Sequence, residues 1–128
     1  MKELKSGLLT NKYTEVYHED PEQMKYNAPH HFLVIRSKRS PETPREDAIN
    51  LVGQVDFQEG PIKECGVNGV ANEDLINMVI CRLEHFQRSK YACRENERAI
   101  TKLEEALMWL RKRTNEREAR GVEGTHTV

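Results

Sequence analysis

The 128-residue chain contains no apolar run of the roughly 18 residues a membrane helix needs, and its first stretch, MKELKSGLLTNKY, lacks the apolar core of a secretory signal. Those absences predict neither a membrane span nor export, and so a cytoplasmic protein. Cysteine is scarce as well. Cys65, Cys81 and Cys93 are odd in number and follow no framework spacing, the pattern of reduced thiols. Neither charge dominates, with 20 basic against 21 acidic residues, which excludes a uniformly basic polyanion coat and leaves room only for a local patch. No GxGxxG occurs. The loop Gly66-Val-Asn-Gly69 precedes a helix start but lacks the Gly-Lys-Ser/Thr ending of a phosphate loop, so it reads as a tight turn with at most a weak claim on an anion. Cys81 and His85 share a helical face and Cys93 follows, yet no fourth ligand has metal-site spacing. No nucleophile, base and orienting acid stand together, so catalysis has no positive sign and no cofactor is implied.

What is present is one domain's worth of chain with a low apolar fraction of 37%, enough for a single modest core. Residues 1–30 mix turn formers with charges around Tyr13, Val16 and Tyr17 and read as an extended arm holding at most a short strand. Over 31–60, the run HFLVIR and the alternating LVGQVDF predict two antiparallel strands, separated by a long loop at 37–50 that carries two prolines. A helical hairpin follows over 72–121. Asn72 is the expected N-cap of the first helix, with Glu73 and Asp74 facing the positive end of its dipole and Leu75, Val79, Leu83 and Phe86 as its stripe. After the break SKYAC, a second helix runs from near Arg94 to Gly121, a natural C-terminal stop. Residues 122–128 form a tail. The fold class is therefore α+β, a small N-terminal antiparallel sheet followed by a two-helix hairpin.

The two helices differ in length, at roughly 24 Å and roughly 40 Å, so the second overhangs the first by something like 16 Å. An overhanging helix is marginal in water unless something packs on it. Its apolar residues point the same way: Ile100, Leu103, Leu107 and Leu110 make one stripe, while Trp109 and Met108 lie about 120° to 140° off it on opposite sides. A helix apolar on several sides predicts a sandwiched position and self-association as a dimer or higher oligomer.

On the same wheel Asn96 falls about 20° from Leu103, Arg117 about 40° and Arg113 about 80°, so polar groups close the stripe at both ends. In an antiparallel dimer Asn96 of one chain approaches Arg113 and Arg117 of the other over an apolar floor. Guanidinium forks match phosphate oxygens, an asparagine amide can bond a base edge or ribose, and Phe86 offers a flat wall to a base. Each has a plainer reading: Phe86 as core, Asn96 as a first-turn polar residue, the arginines as a solvated helix end satisfying the dipole.

The segments FQEGPIKECGVNGVANEDL, RLEHFQ, CRENERAITKLEEALMWLRKRT and RGVEGT resemble the phage-encoded Thoeris anti-defence proteins of the first type over residues 31–128. More distantly they are similar to anti-CBASS cyclic-nucleotide sponges. The resemblance implies a protein that holds glycocyclic ADP-ribose, an immune messenger, uncleaved at a protomer interface, as a dimer or hexamer in the cytoplasm of an infected bacterium. Carried over to this chain, it puts Phe86 on the base, Asn96 beside it, and Arg113 and Arg117 on the pyrophosphate and ribose. Some members also bind cyclic tri-nucleotides at a second site between dimers, for which Arg111 and Lys112 are the basic candidates. The ligand is then a small nucleotide, with no membrane, no duplex nucleic acid and no metal involved. Two rival readings stand beside sequestration: an enzyme that degrades the same messenger, and a helical-hairpin adaptor for protein or nucleic acid.

Overall fold

The computed structural model describes residues 1–9, 11–38 and 50–128. The α+β class expected from the sequence is the class observed. Four strands, β1 (Lys2–Glu3), β2 (Thr14–His18), β3 (His31–Arg36) and β4 (Leu51–Asp56), precede three helices, α1 (Ile62–Cys65), α2 (Asn72–Gln87) and α3 (Arg94–Ala119). The chain divides into two compact units: residues 1–60 with 67–69, and residues 61–66 with 70–128. Most of the predicted 37–50 loop lies outside the described residues.

The first unit is the sheet. Its strands lie in the order β1-β2-β3-β4, every neighbouring pair antiparallel, with Val16 opposite Val34 and Leu33 opposite Gln54. The first thirty residues thus supply two strands where the sequence suggested an arm. TEVYH is too charged to announce itself as a strand, but β3 has a free edge and β2 satisfies it with backbone hydrogen bonds that carry no side-chain signature. Beyond β2, the buried Glu19 takes the His30 N–H at 2.9 Å and the His31 N–H at 3.3 Å, so a carboxylate continues where the ladder ends. Phe32 meets Phe57 edge to face at 5.5 Å.

The GVNG segment is a structural turn. Asn68 accepts the Glu59 N–H at 2.8 Å, returns a bond to the Glu59 carbonyl at 2.7 Å, and donates its own N–H to Gln58 at 3.0 Å. With the Asn68 N–H bonded to Gln58 and the Gly66 N–H to the Ile62 carbonyl, the weak claim on an anion loses two of the loop's donors.

In the second unit α2 and α3 form the predicted hairpin. Asn72 is the first helical residue and Ala71 holds the cap position; the Asp74 carboxylate accepts the Ala71 N–H at 2.8 Å, one half of a capping box. An N-cap at Asn72 is therefore corrected by one residue, because Asp74 reaches back and does the capping. The stripe of α2 is also rotated. Ile80 is buried and Ile76 half-buried, whereas Val79 is 47% exposed. Ile76, Ile80 and Leu83 fit helical spacing as well as Leu75, Val79 and Leu83, and only the packing against α3 chooses between them. On α3 the predicted stripe is observed: Ile100, Leu103, Leu107, Leu110, Thr114 and Arg117 are all half-buried. Thr114 satisfies its hydroxyl on the Leu110 carbonyl at 3.2 Å.

Candidate functional site

Phe86 and Asn96 sit at one end of the hairpin, and the turn between the helices holds them there. The Gln87 amide spans it, donating to the Cys93 carbonyl at 2.9 Å and accepting the Cys93 N–H at 3.0 Å, while the Ser89 hydroxyl donates to the Phe86 carbonyl at 2.6 Å. Phe86 ends α2 with its ring exposed, and the Arg82 guanidinium lies 5.4 Å from the ring centroid. Asn96, in the first turn of α3, is half-buried. An exposed ring with one face under a cation and a neighbouring amide can stack on a base and bond its edge.

Arg113 and Arg117 lie toward the other end of α3. At about 1.5 Å per residue, Arg113 is about 26 Å and Arg117 about 32 Å along the axis from Asn96. The predicted residues therefore fall toward opposite ends of the hairpin, Phe86 and Asn96 at one and Arg113 and Arg117 at the other. A rigid helix cannot fold back on itself, so no single small ligand can touch both pairs within one chain.

The two arginines differ. Arg113 is exposed and has no hydrogen-bond or ion-pair partner among the described residues. Arg117 is half-buried, and its Nη2 donates to the carbonyls of Val122 and Thr125, each at 3.1 Å. Part of the expected overhang is thus clasped by the chain's own tail, which docks on α1 through the Lys63 N–H to the Gly124 carbonyl at 2.8 Å.

The second basic pair is less available. The Lys112 ammonium lies 5.2 Å from the Trp109 ring centroid and 4.0 Å from Glu116. Arg111 lines a groove of about 370 Å³ with Glu73, Asn77, Leu107, Thr114 and Glu118. That groove shows the start of α2 facing the C-terminal half of α3, as an antiparallel hairpin requires. The carboxylates of Glu73 on α2 and Glu118 on α3 line the same groove as Arg111, which weakens its pull on an anion.

Sequence reasoning missed Arg82, Gln87 and the tail carbonyls. Arg82 was accessible as an i, i+4 partner of Phe86. The carbonyls carry no residue-type signal, and only the glycine stop at Gly121 hinted that the chain reverses there.

A family model described as the Acb2/Tad1 hairpin domain matches residues 40–115. The chain is also 53% identical over 140 aligned residues to the protein named Thoeris anti-defense 1 of Bacillus phage SBSphiJ7, an alignment that takes in 98% of this chain and 99% of that one.

Proposed function

This chain belongs to the Acb2/Tad1 family, and from that premise we propose that it is a phage anti-defence protein that binds and sequesters glycocyclic ADP-ribose without cleaving it. It acts in the cytoplasm of the infected bacterium. The observation that supports this reading is the placement of the candidate residues at opposite ends of the α2–α3 hairpin. Phe86 and Asn96, proposed to read the base, stand at one end, and Arg113 and Arg117, proposed to hold the phosphates, toward the other. A second copy running antiparallel would lay the arginines of one chain beside the aromatic and amide of its partner, making two equivalent composite pockets per dimer.

Binding in such a pocket needs no chemical step. Forked guanidinium donors neutralise the pyrophosphate, the ring stacks on the base, and the Asn96 amide fixes orientation. Closure between two copies excludes water and hides the ligand from the host effector. Because one pocket removes one messenger, protection depends on the protein matching the messenger's concentration with a dissociation constant well below it. Binding of cyclic tri-nucleotides through Arg111 and Lys112 of a larger assembly is a secondary reading within the same family.

Incubating the messenger with the protein and then heat-denaturing the mixture is the test. Recovery of ligand of unchanged mass, with full capacity to activate the effector, is expected. A ligand of altered mass would make the protein a messenger-degrading enzyme.

A further inference from the structure

The arginine pair is built asymmetrically, and the difference lies in the tail. Helix α3 ends with Gly121 in the left-handed region at φ 72, its N–H donating to the Glu118 carbonyl at 3.0 Å and the Val122 N–H to the Arg117 carbonyl at 3.0 Å. This paired closure reverses the chain. It runs Val122 to Thr125 back past the last turn, so that two carbonyls face the Arg117 guanidinium.

We propose that the segment Val122–Thr125 is a positioning strap that fixes the Arg117 guanidinium in one orientation, with Nη1 and Nε left to contact a phosphate; the inference rests on the reading of Arg117 as a ligand contact. Both N–H groups of Nη2 are taken up by the carbonyls of Val122 and Thr125. A guanidinium has five donors in a fixed fork, so three remain, two on Nη1 and one on Nε; both bidentate edges of the fork use Nη2, so these three are left for single contacts with an anion. An unrestrained arginine surrenders its rotamer freedom when it binds. A strapped one has surrendered it on folding.

The strap is itself tied down. Its Gly124 carbonyl accepts the Lys63 N–H at 2.8 Å, and Gly124 has φ 75, where a side chain is strained and its Cβ, 2.9 Å from Lys63 Cγ, would push the lysine aside. The Thr125 hydroxyl and N–H both return to the Val122 carbonyl, at 2.5 Å and 3.1 Å, which rigidifies the turn. His126 bonds the Glu64 carboxylate. Arg113 has none of this and supplies an adaptable charge instead.

The test compares the full chain, a chain ending at Gly121, Gly124→Val and Arg117→Ala, by calorimetric titration with glycocyclic ADP-ribose and by nitrogen NMR of the arginine side chains. In the full chain without ligand, the Arg117 Nη signals should be separate and slowly exchanging, because the carbonyls hinder rotation. Truncation and Gly124→Val should merge them and weaken binding about tenfold or more. Added to Arg117→Ala, truncation should weaken binding no further. Freely rotating Nη groups in the intact chain would overturn the strap even if the variants fail to fold. So would a truncated chain that binds as tightly as the full one, or truncation that weakens binding equally without Arg117. If Arg117→Ala alone leaves affinity untouched, the assignment of Arg117 to the ligand fails, a result distinct from an idle tail.

Discussion

At the scale of single residues, the proposed sequestration rests on a few charges and one ring. Arg113 is exposed and unpartnered among the described residues, so Arg113→Ala should weaken messenger binding at least tenfold, the loss typical of a charge-assisted bond of about 1.5–3 kcal/mol. Its melting temperature should stay within a degree or so of the parent's, because surface changes of this kind cost about 0.5 kcal/mol or less. Calorimetric titration beside a thermal melt separates the two effects, and an unfolded variant would mark Arg113 as structural. Phe86→Ala should cost binding about 1–3 kcal/mol, the range for one stacked base. Arg82 then loses the ring beneath it, at an exposed and weakly coupled position. These residues stood out in the sequence as types at helical spacing that suit a nucleotide, and the family resemblance implied the roles proposed for them. The strap on Arg117 did not stand out, because backbone carbonyls are the same in every residue.

At the scale of elements, the end of the sheet is held by a cluster that titrates. His31 directs Nδ1 at Asp56 at 2.9 Å and Nε2 at Glu59 at 2.6 Å, with Glu19 at 3.9 Å and Lys25 at 4.0 Å from Glu59. Both ring nitrogens act as donors only in the imidazolium, and the hydrogen bonds to Asp56, then to Glu59, raise the His31 pKa above its ordinary 6.5. A raised histidine contributes fully below about pH 6.5 and loses its contribution as pH climbs through the folded value. Burial raises the Glu19 pKa, but the N–H groups of His31 and His30 outweigh it and leave the carboxyl below its ordinary 4.5. Its contribution holds above that value and fades as pH falls through the lowered one. The sheet end should therefore be firmest between about pH 4.5 and 6.5. Melts at about pH 6 and about pH 8.5 should show a larger drop for the parent than for His31→Gln, and NMR should place the His31 midpoint above 6.5. Equal drops would remove the cluster from the account.

Glycine gives the sheet unit a second test. A Cβ on Gly69 would lie 2.4 Å from the Phe57 backbone, whereas one on Gly53 meets nothing within 4 Å. Gly69→Ala should destabilise by about 1–3 kcal/mol, the cost of forcing atoms into filled space. Gly53→Ala should change the melt little, and the pair can be compared by denaturant titration.

At the scale of the whole molecule, the described residues leave much apolar surface uncovered. Ile80 is the one buried apolar side chain among them, while Met78, Met108 and Trp109 are 60%, 70% and 64% exposed. Apolar groups left open on a helix mark a contact surface. With Asn96 far along α3 from Arg113 and Arg117, this supports the proposal of a second copy of the chain as the occupant. Light scattering should give at least twice the mass of one chain. Trp109 is the single tryptophan, so its emission should move to longer wavelength on dilution as the partner leaves, and the melting temperature should fall with concentration. A concentration-independent monomer that still binds the messenger tightly would rule out the composite pocket.

The sequence by itself determined the α+β class, both long helices nearly to the residue, the stripe of α3, and the residue types that suit a nucleotide. All of these depend on spacing along one chain, where periodicity, caps and charge act over a few residues. Tertiary structure decided the rest. Strand β2 joined the sheet by backbone pairing, Ile80 rather than Val79 was buried, and the tail turned its carbonyls on Arg117. Each of those outcomes turns on which surfaces and main-chain groups meet at a distance, and residue identity alone does not encode that choice.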